Sequence, residues 1–140
     1  MGENKVIHTI SDITIGMRET YSKTILDIDI KDFSDLSGDR NPVHLDESYA
    51  KTSRFKKRIA HGLLSASFFS AIFGTKLPGR GCVYMAQTLE FKRPVYINDT
   101  VIATVVVTEI NKDKNIIFFD TYCEVKGKKV ITGTAEIFIP

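Results

Sequence analysis

"HGLLSASFFSAIFG", His61–Gly74, is apolar on nearly every side of a helical projection, with only serines as polar relief and a glycine towards each end. A helix that is apolar all round is buried all round, so this segment predicts a core helix enclosed by other elements. The enclosing material lies downstream. Four stretches rich in β-branched and aromatic residues run to the C-terminus: "GCVYMAQTLEFKRPV" (81–95), "DTVIATVVVTEINK" (99–112), "NIIFFDTYCEVK" (115–126) and "KKVITGTAEIFIP" (128–140). Turn signals at "YINDT", "NKDKN" and "KGKK" separate them, which predicts an antiparallel meander.

Upstream, "TIGMRETYSKTI" (14–25) mixes polar and apolar residues at a period near two and reads as a strand. In "DIDIKDFSDLSGD" (27–39), Ile30, Phe33 and Leu36 recur every three residues after capping aspartates, which predicts a short helix ended by Gly38. "SGDRNPVHLD" (37–46) reads as loop, because proline disfavours helix in the residue before it and Asn and Asp favour turns. A second short helix is expected over Glu47–Thr52. The sum is one strand, a mostly helical excursion, one buried helix and four long strands. An antiparallel sheet curled around the helix buries it economically, an α+β arrangement known as the hot-dog plan.

The 140 residues suit one domain spanning 1–140, and 43% hydrophobic with 26% charged residues is ordinary globular composition. A sheet wrapped on one helix leaves an edge open, so at least a homodimer is expected, with "VIATVVVTEI" (101–110) as a candidate strand at the join. The net charge of +2, from 19 basic and 17 acidic residues, is too balanced for a nucleic-acid surface. Cys82 and Cys123 lack metal spacing and read as reduced structural thiols. No stretch is long and apolar enough to cross a membrane, and the N-terminus lacks a signal pattern, so a cytoplasmic protein is expected. "MGENKV" begins like a myristoylation site but has no Ser or Thr at its sixth position.

Two places carry chemistry. In "DRNPVH", Pro42 stiffens the chain so that Asp39 and His44 can be presented in a defined relation, with Asn41 able to bond backbone or carboxylate. A carboxylate and an imidazole aimed at one water form an acid/base pair, although a turn aspartate and a surface histidine would use the same letters. In "AHGLL", Gly62 opens the buried helix, where a free backbone N–H can hold a developing oxyanion; tight packing at the helix entry is the alternative. His61 reads as a structural hydrogen-bonder beside the cap. Ser65, Ser67 and Ser70 are expected to bond their own helix, and no Gly-x-Ser-x-Gly elbow surrounds them. The basic run "RFKKR" (54–58) is either a solvated loop or a site for a phosphorylated ligand.

"DRNPVHLD" followed at this interval by "HGLLSASFFS", with "LPGRGCVYMAQTLEFKRPVYINDTV" (77–101) after it, resembles the MaoC-like, (R)-specific enoyl-CoA hydratase family over nearly the whole chain. The resemblance implies a hot-dog homodimer that hydrates trans-2-enoyl-CoA to (R)-3-hydroxyacyl-CoA. By position, Asp39 and His44 would be the catalytic dyad, Asn41 its support, Gly62 N–H the oxyanion donor, and Ser70 a serine near the dyad. Arg40 receives no role. Phe73 shares a helical face with Ser70 and is expected either to floor the acyl pocket, favouring short chains such as crotonyl, or to be ordinary core. Lys56, Lys57, Arg58, Lys92 and Arg93 are candidates for the coenzyme A phosphates. No metal, nicotinamide or flavin is expected, since the chain offers no Gly-x-Gly-x-x-Gly and no His/Cys ligand spacing. Three rival functions fit the same plan: an acyl-CoA thioesterase, an acyl-carrier-protein dehydratase, and a non-catalytic acyl-CoA-binding subunit.

Overall fold

A computed structural model describes residues 8–140, so the "MGENKV" reading lies outside the described residues. A 3-10 turn (Ile10–Asp12) leads into β1 (Arg18–Thr24), followed by α1 (Asp27–Ser37), α2 (Pro42–Leu45), α3 (Glu47–Thr52) and the central helix α4 (Gly62–Thr75). Then come β2 (Val83–Gln87), β3 (Glu90–Phe91), β4 (Thr100–Asn111), β5 (Ile116–Val125) and β6 (Lys128–Phe138).

The strands form one antiparallel sheet in the order β1-β4-β5-β6-β2, with β3 also pairing β6. The expected meander therefore holds only for β4, β5 and β6. The first of the four stretches breaks into β2 and β3 and crosses to the far edge. This overturns β4 as the strand at an open join: β1 and β5 flank it on both sides, and the outer strands are β1 and β2.

Alternation decides which sheet face meets α4. Val101, Ala103, Val105 and Val107 of β4 point inward, as do Ile117, Phe119, Thr121 and Cys123 of β5. They close on Leu64, Phe68, Phe69, Ile72 and Phe73 of α4, and each fully buried side chain of this kind contributes about 1.5–3 kcal/mol of transfer free energy. The helix is not covered all round in this chain. Leu63, Ser67, Ser70 and Gly74 share an open side, and the serines are the polar relief that makes this tolerable. Ser67 bonds the carbonyl of Leu64, as its local reading requires.

The excursion is more helical than its sequence suggests. Gly38 ends α1 with φ 82°, a left-handed value that glycine adopts without strain. Ile30 is fully buried and Phe33 partly so, but Leu36 stands in solvent. The stretch read as loop contains α2, because Asn41, itself non-helical, caps the turn through its side chain and Pro42 takes the first helical position. Proline constrains the residue before it, yet it suits the start of a helix, where no N–H is required.

Candidate active site

Asp39 leaves the end of α1 and His44 sits in the single turn of α2, so the Asn41 cap and Pro42 set the distance between them. Asp39 Oδ1 accepts the Asn41 backbone N–H at 3.1 Å, and the Asp39 N–H donates to Ser37 Oγ at 3.1 Å. The Asn41 side chain accepts the Val43 N–H at 3.2 Å, so Asn41 braces the segment between Asp39 and His44 through its main chain and its cap. His44 is buried, and its Nδ1 lies 2.8 Å from the Ile59 carbonyl. A carbonyl can only accept, so Nδ1 carries the proton and Nε2 presents a lone pair. Nε2 lies 3.9 Å from Asp39 Oδ2, too long for a direct hydrogen bond and suited to one water between the two.

His61 joins both members. Its ring stacks on that of His44 with centroids 3.8 Å apart and planes 27° from parallel. Its Nε2 lies 3.1 Å from the Asp39 carbonyl and 3.1 Å from Ser34 Oγ. Burial above all holds the His61 ring below its ordinary histidine pKa, with the Asp39 carbonyl opposing that shift. Asp39, His44 and His61 bring one potential ligand atom each within 4.8 Å. The Asp39 carbonyl can only accept, so His61 Nε2 carries the proton and Nδ1 is its bare nitrogen, buried without a hydrogen-bond partner.

A cavity of about 670 Å³ opens on this cluster, lined by Asp39, His44, His61 and Gly62 with apolar walls from Phe33, Phe55, Phe91 and Val95. That is the size of a small-molecule site. Gly62 is the first residue of α4, at the helix end where backbone N–H groups lack intrahelical partners. A Cβ built there would come within 2.4 Å of the Phe91 ring, so close packing at this position calls for glycine.

The cavity takes some of the candidate residues and leaves others. Lys92 and Arg93 line it, together with Arg54 from the basic run. Lys56 and Lys57 line a separate pocket of about 350 Å³ with Lys51 and Tyr96. Arg58 also lines that second pocket, but it is buried, bonded to Asp27 and to the His44 carbonyl. Ser70 is exposed and does not line this cavity. Five residues of helix rotate it about 140° from Ser65, which does line the cavity. Ser65 Oγ has no hydrogen-bond partner, contrary to the helix-carbonyl reading. Phe73 belongs to the core, packed edge-on to Phe119 and Tyr84 at 4.8 and 5.0 Å, and is not the cavity floor. Burial pushes the Cys123 thiol up to about 12 and raises that of Cys82, which favours the protonated thiol at both.

The stacking of His61 and the backbone acceptor at Ile59 escaped the sequence reading. The first carried one signal, a histidine directly before the helix-opening glycine. The second carried none, since any residue supplies a carbonyl.

The fold and site define a hot-dog protein with a carboxylate–imidazole pair beside a helix N-terminus. Residues 12–132 match the family described as MaoC like domain, and the chain belongs to that family. An (R)-specific enoyl-CoA hydratase from Rhodospirillum rubrum is 49% identical over 138 residues, covering 99% of this chain and 96% of that protein. The solved R-hydratase PhaJ1 from Pseudomonas aeruginosa superposes with TM-score 0.91 at 41% identity, over 98% of this chain and 89% of its own. The (R)-hydratase from Aeromonas caviae involved in PHA biosynthesis gives 0.89 at 39% identity, over 91% and 98%. Among the described residues, no helix is long and apolar enough to cross a membrane.

Proposed function

We infer that the chain is an (R)-specific enoyl-CoA hydratase, a hydro-lyase that adds water reversibly to trans-2-enoyl-CoA. The observation that carries this is the 3.9 Å gap between Asp39 Oδ2 and His44 Nε2 in the cavity that Gly62 also lines. The thioester oxygen accepts from the Gly62 N–H, which draws electron density from the alkene and leaves C3 electrophilic. The bridging water adds its oxygen to C3 while one proton passes to the dyad, and the dyad returns one proton to C2 on the same face. Both new bonds consume the elements of one water, no electrons are exchanged, and coenzyme A enters only as part of the substrate.

Lys92, Arg93 and Arg54 at the cavity meet the requirement for cations near the coenzyme A phosphates, and Lys56 and Lys57 in the neighbouring pocket extend it. The expectation of a short acyl chain loses the support of Phe73, so chain length becomes a comparison of crotonyl-CoA with octenoyl-CoA. The functional unit in this reading is a homodimer. β2 is an outer strand that exposes Val83, Tyr84 and Met85, apolar side chains whose burial against a second copy would extend the sheet.

The test mixes purified protein with crotonyl-CoA and follows the ultraviolet absorbance of the conjugated enoyl thioester, then the chirality of the product. Loss of absorbance with an (R)-3-hydroxyacyl product is expected. Asp39→Ala and His44→Ala should each lower turnover by roughly 10²- to 10⁴-fold in a folded protein. Release of free thiol without hydration would replace this reading with thioester hydrolysis.

A further inference from the structure

Arg58 is 8% exposed, and a buried guanidinium is costly unless its donors are satisfied. Its Nη2 donates to Asp27 Oδ1 at 2.7 Å, at the start of α1. Its Nε donates at 2.6 Å to the carbonyl of His44. That carbonyl lies in the last turn of α2, where helix carbonyls lack N–H partners. The next residue grips the same histidine from its other end, since the Ile59 carbonyl accepts the His44 Nδ1–H and the Ile59 N–H donates to the Val43 carbonyl at 3.2 Å. Main chain and imidazole of His44 are thus tied to two consecutive residues of one segment. That segment is itself fixed by the Ala60 N–H bond to the Val95 carbonyl at 2.7 Å.

We propose that Arg58 is a positioning residue for His44, setting the direction of Nε2 towards Asp39 by anchoring the histidine's backbone to α1 through Asp27. A single-turn helix has too few hydrogen bonds of its own to hold a ring to the tolerance that proton transfer needs. The guanidinium fork supplies two donors in a fixed relation, and each has a separate acceptor on a separate element. The role rests on His44 being the catalytic histidine of the hydratase reading.

Arg58→Lys and Arg58→Met are compared with the parent on crotonyl-CoA. The lysine keeps the charge, but its amino group does not span both acceptors as the fork does. In folded Arg58→Lys, kcat should fall by about 10- to 100-fold with KM within about twofold, because geometry at the reacting atoms is lost and substrate binding is not. Added to His44→Ala, either change should lower the residual rate by less than about twofold, since the group being positioned is gone. Parental kcat in folded Arg58→Lys, or the same fold-loss in both backgrounds, would overturn the proposal. Failure of Arg58→Met to fold leaves the lysine variant to decide. Full turnover in His44→Ala would sink the hydratase site itself, and Arg58's role with it; an inactive His44→Ala beside a fully active Arg58→Lys sinks the positioning role alone.

Discussion

Among single residues, His61 separates support from chemistry. It bonds the Asp39 carbonyl, stacks on His44 and is almost fully buried, so the folded protein holds it neutral where an unfolded chain would protonate it. Burial depresses its folded pKa below the ordinary histidine value of 6.5. The unfolded state therefore binds more protons below that pH, and the stability linked to His61 is present above about 6.5 and is lost as pH falls through the folded value. Denaturant midpoints measured across this window should drop with acidification in the parent, and His61→Gln should flatten that drop. An unchanged slope in the variant would assign the acid sensitivity to other groups. Arg58 belongs to the same scale: its residue type suggested a surface phosphate contact, but its 8% exposure and two short bonds make it an internal tie.

Among elements, the glycine at the start of α4 has two competing explanations, close packing and an oxyanion role, and a pair of variants tells them apart. Gly62→Ala places a methyl against the Phe91 ring, which must shift because the contact would be 2.4 Å. Gly62→Ala alone should lose both stability and turnover. In Gly62→Ala with Phe91→Leu, a smaller and more flexible neighbour should restore most of the melting temperature. If turnover returns with it, the glycine serves packing alone; if turnover stays low by about tenfold or more, the methyl obstructs the approach to the backbone N–H, as an oxyanion role requires. The excursion teaches a related point. α3 over Glu47–Thr52 and the stop at Gly38 were legible because caps and glycine act locally. α2 was not, because the same Asn-Pro pair that argues against helix behind it also starts a helix ahead of it.

At the level of the whole molecule, the sheet order makes β2 the outer strand opposite β1. β2 exposes Met85 at 51% and Val83 at 46%, which is much for apolar side chains beside unpaired backbone groups. Met85→Lys places a charge on that edge. Light scattering should show a dimer for the parent and a shift to monomer at the same concentration for the variant. A variant that stays fully dimeric would move the join away from β2.

The amino-acid sequence by itself determined the core helix, the strands β1, β4, β5 and β6, and the spacing of Asp39 and His44, because apolar periodicity, caps and proline geometry act over a few residues. It also carried the family, through "DRNPVHLD" and the helix that follows. Only the tertiary structure decided that Ser70 and Phe73 do not line the cavity while Ser65, Phe91 and Arg54 do. It alone brought Ile59, His61 and Arg58 around one histidine and placed β2 rather than β4 at an edge. The physical reason is that a helical face and a strand's neighbours are set by what packs against them, and those partners lie tens of residues away in the chain.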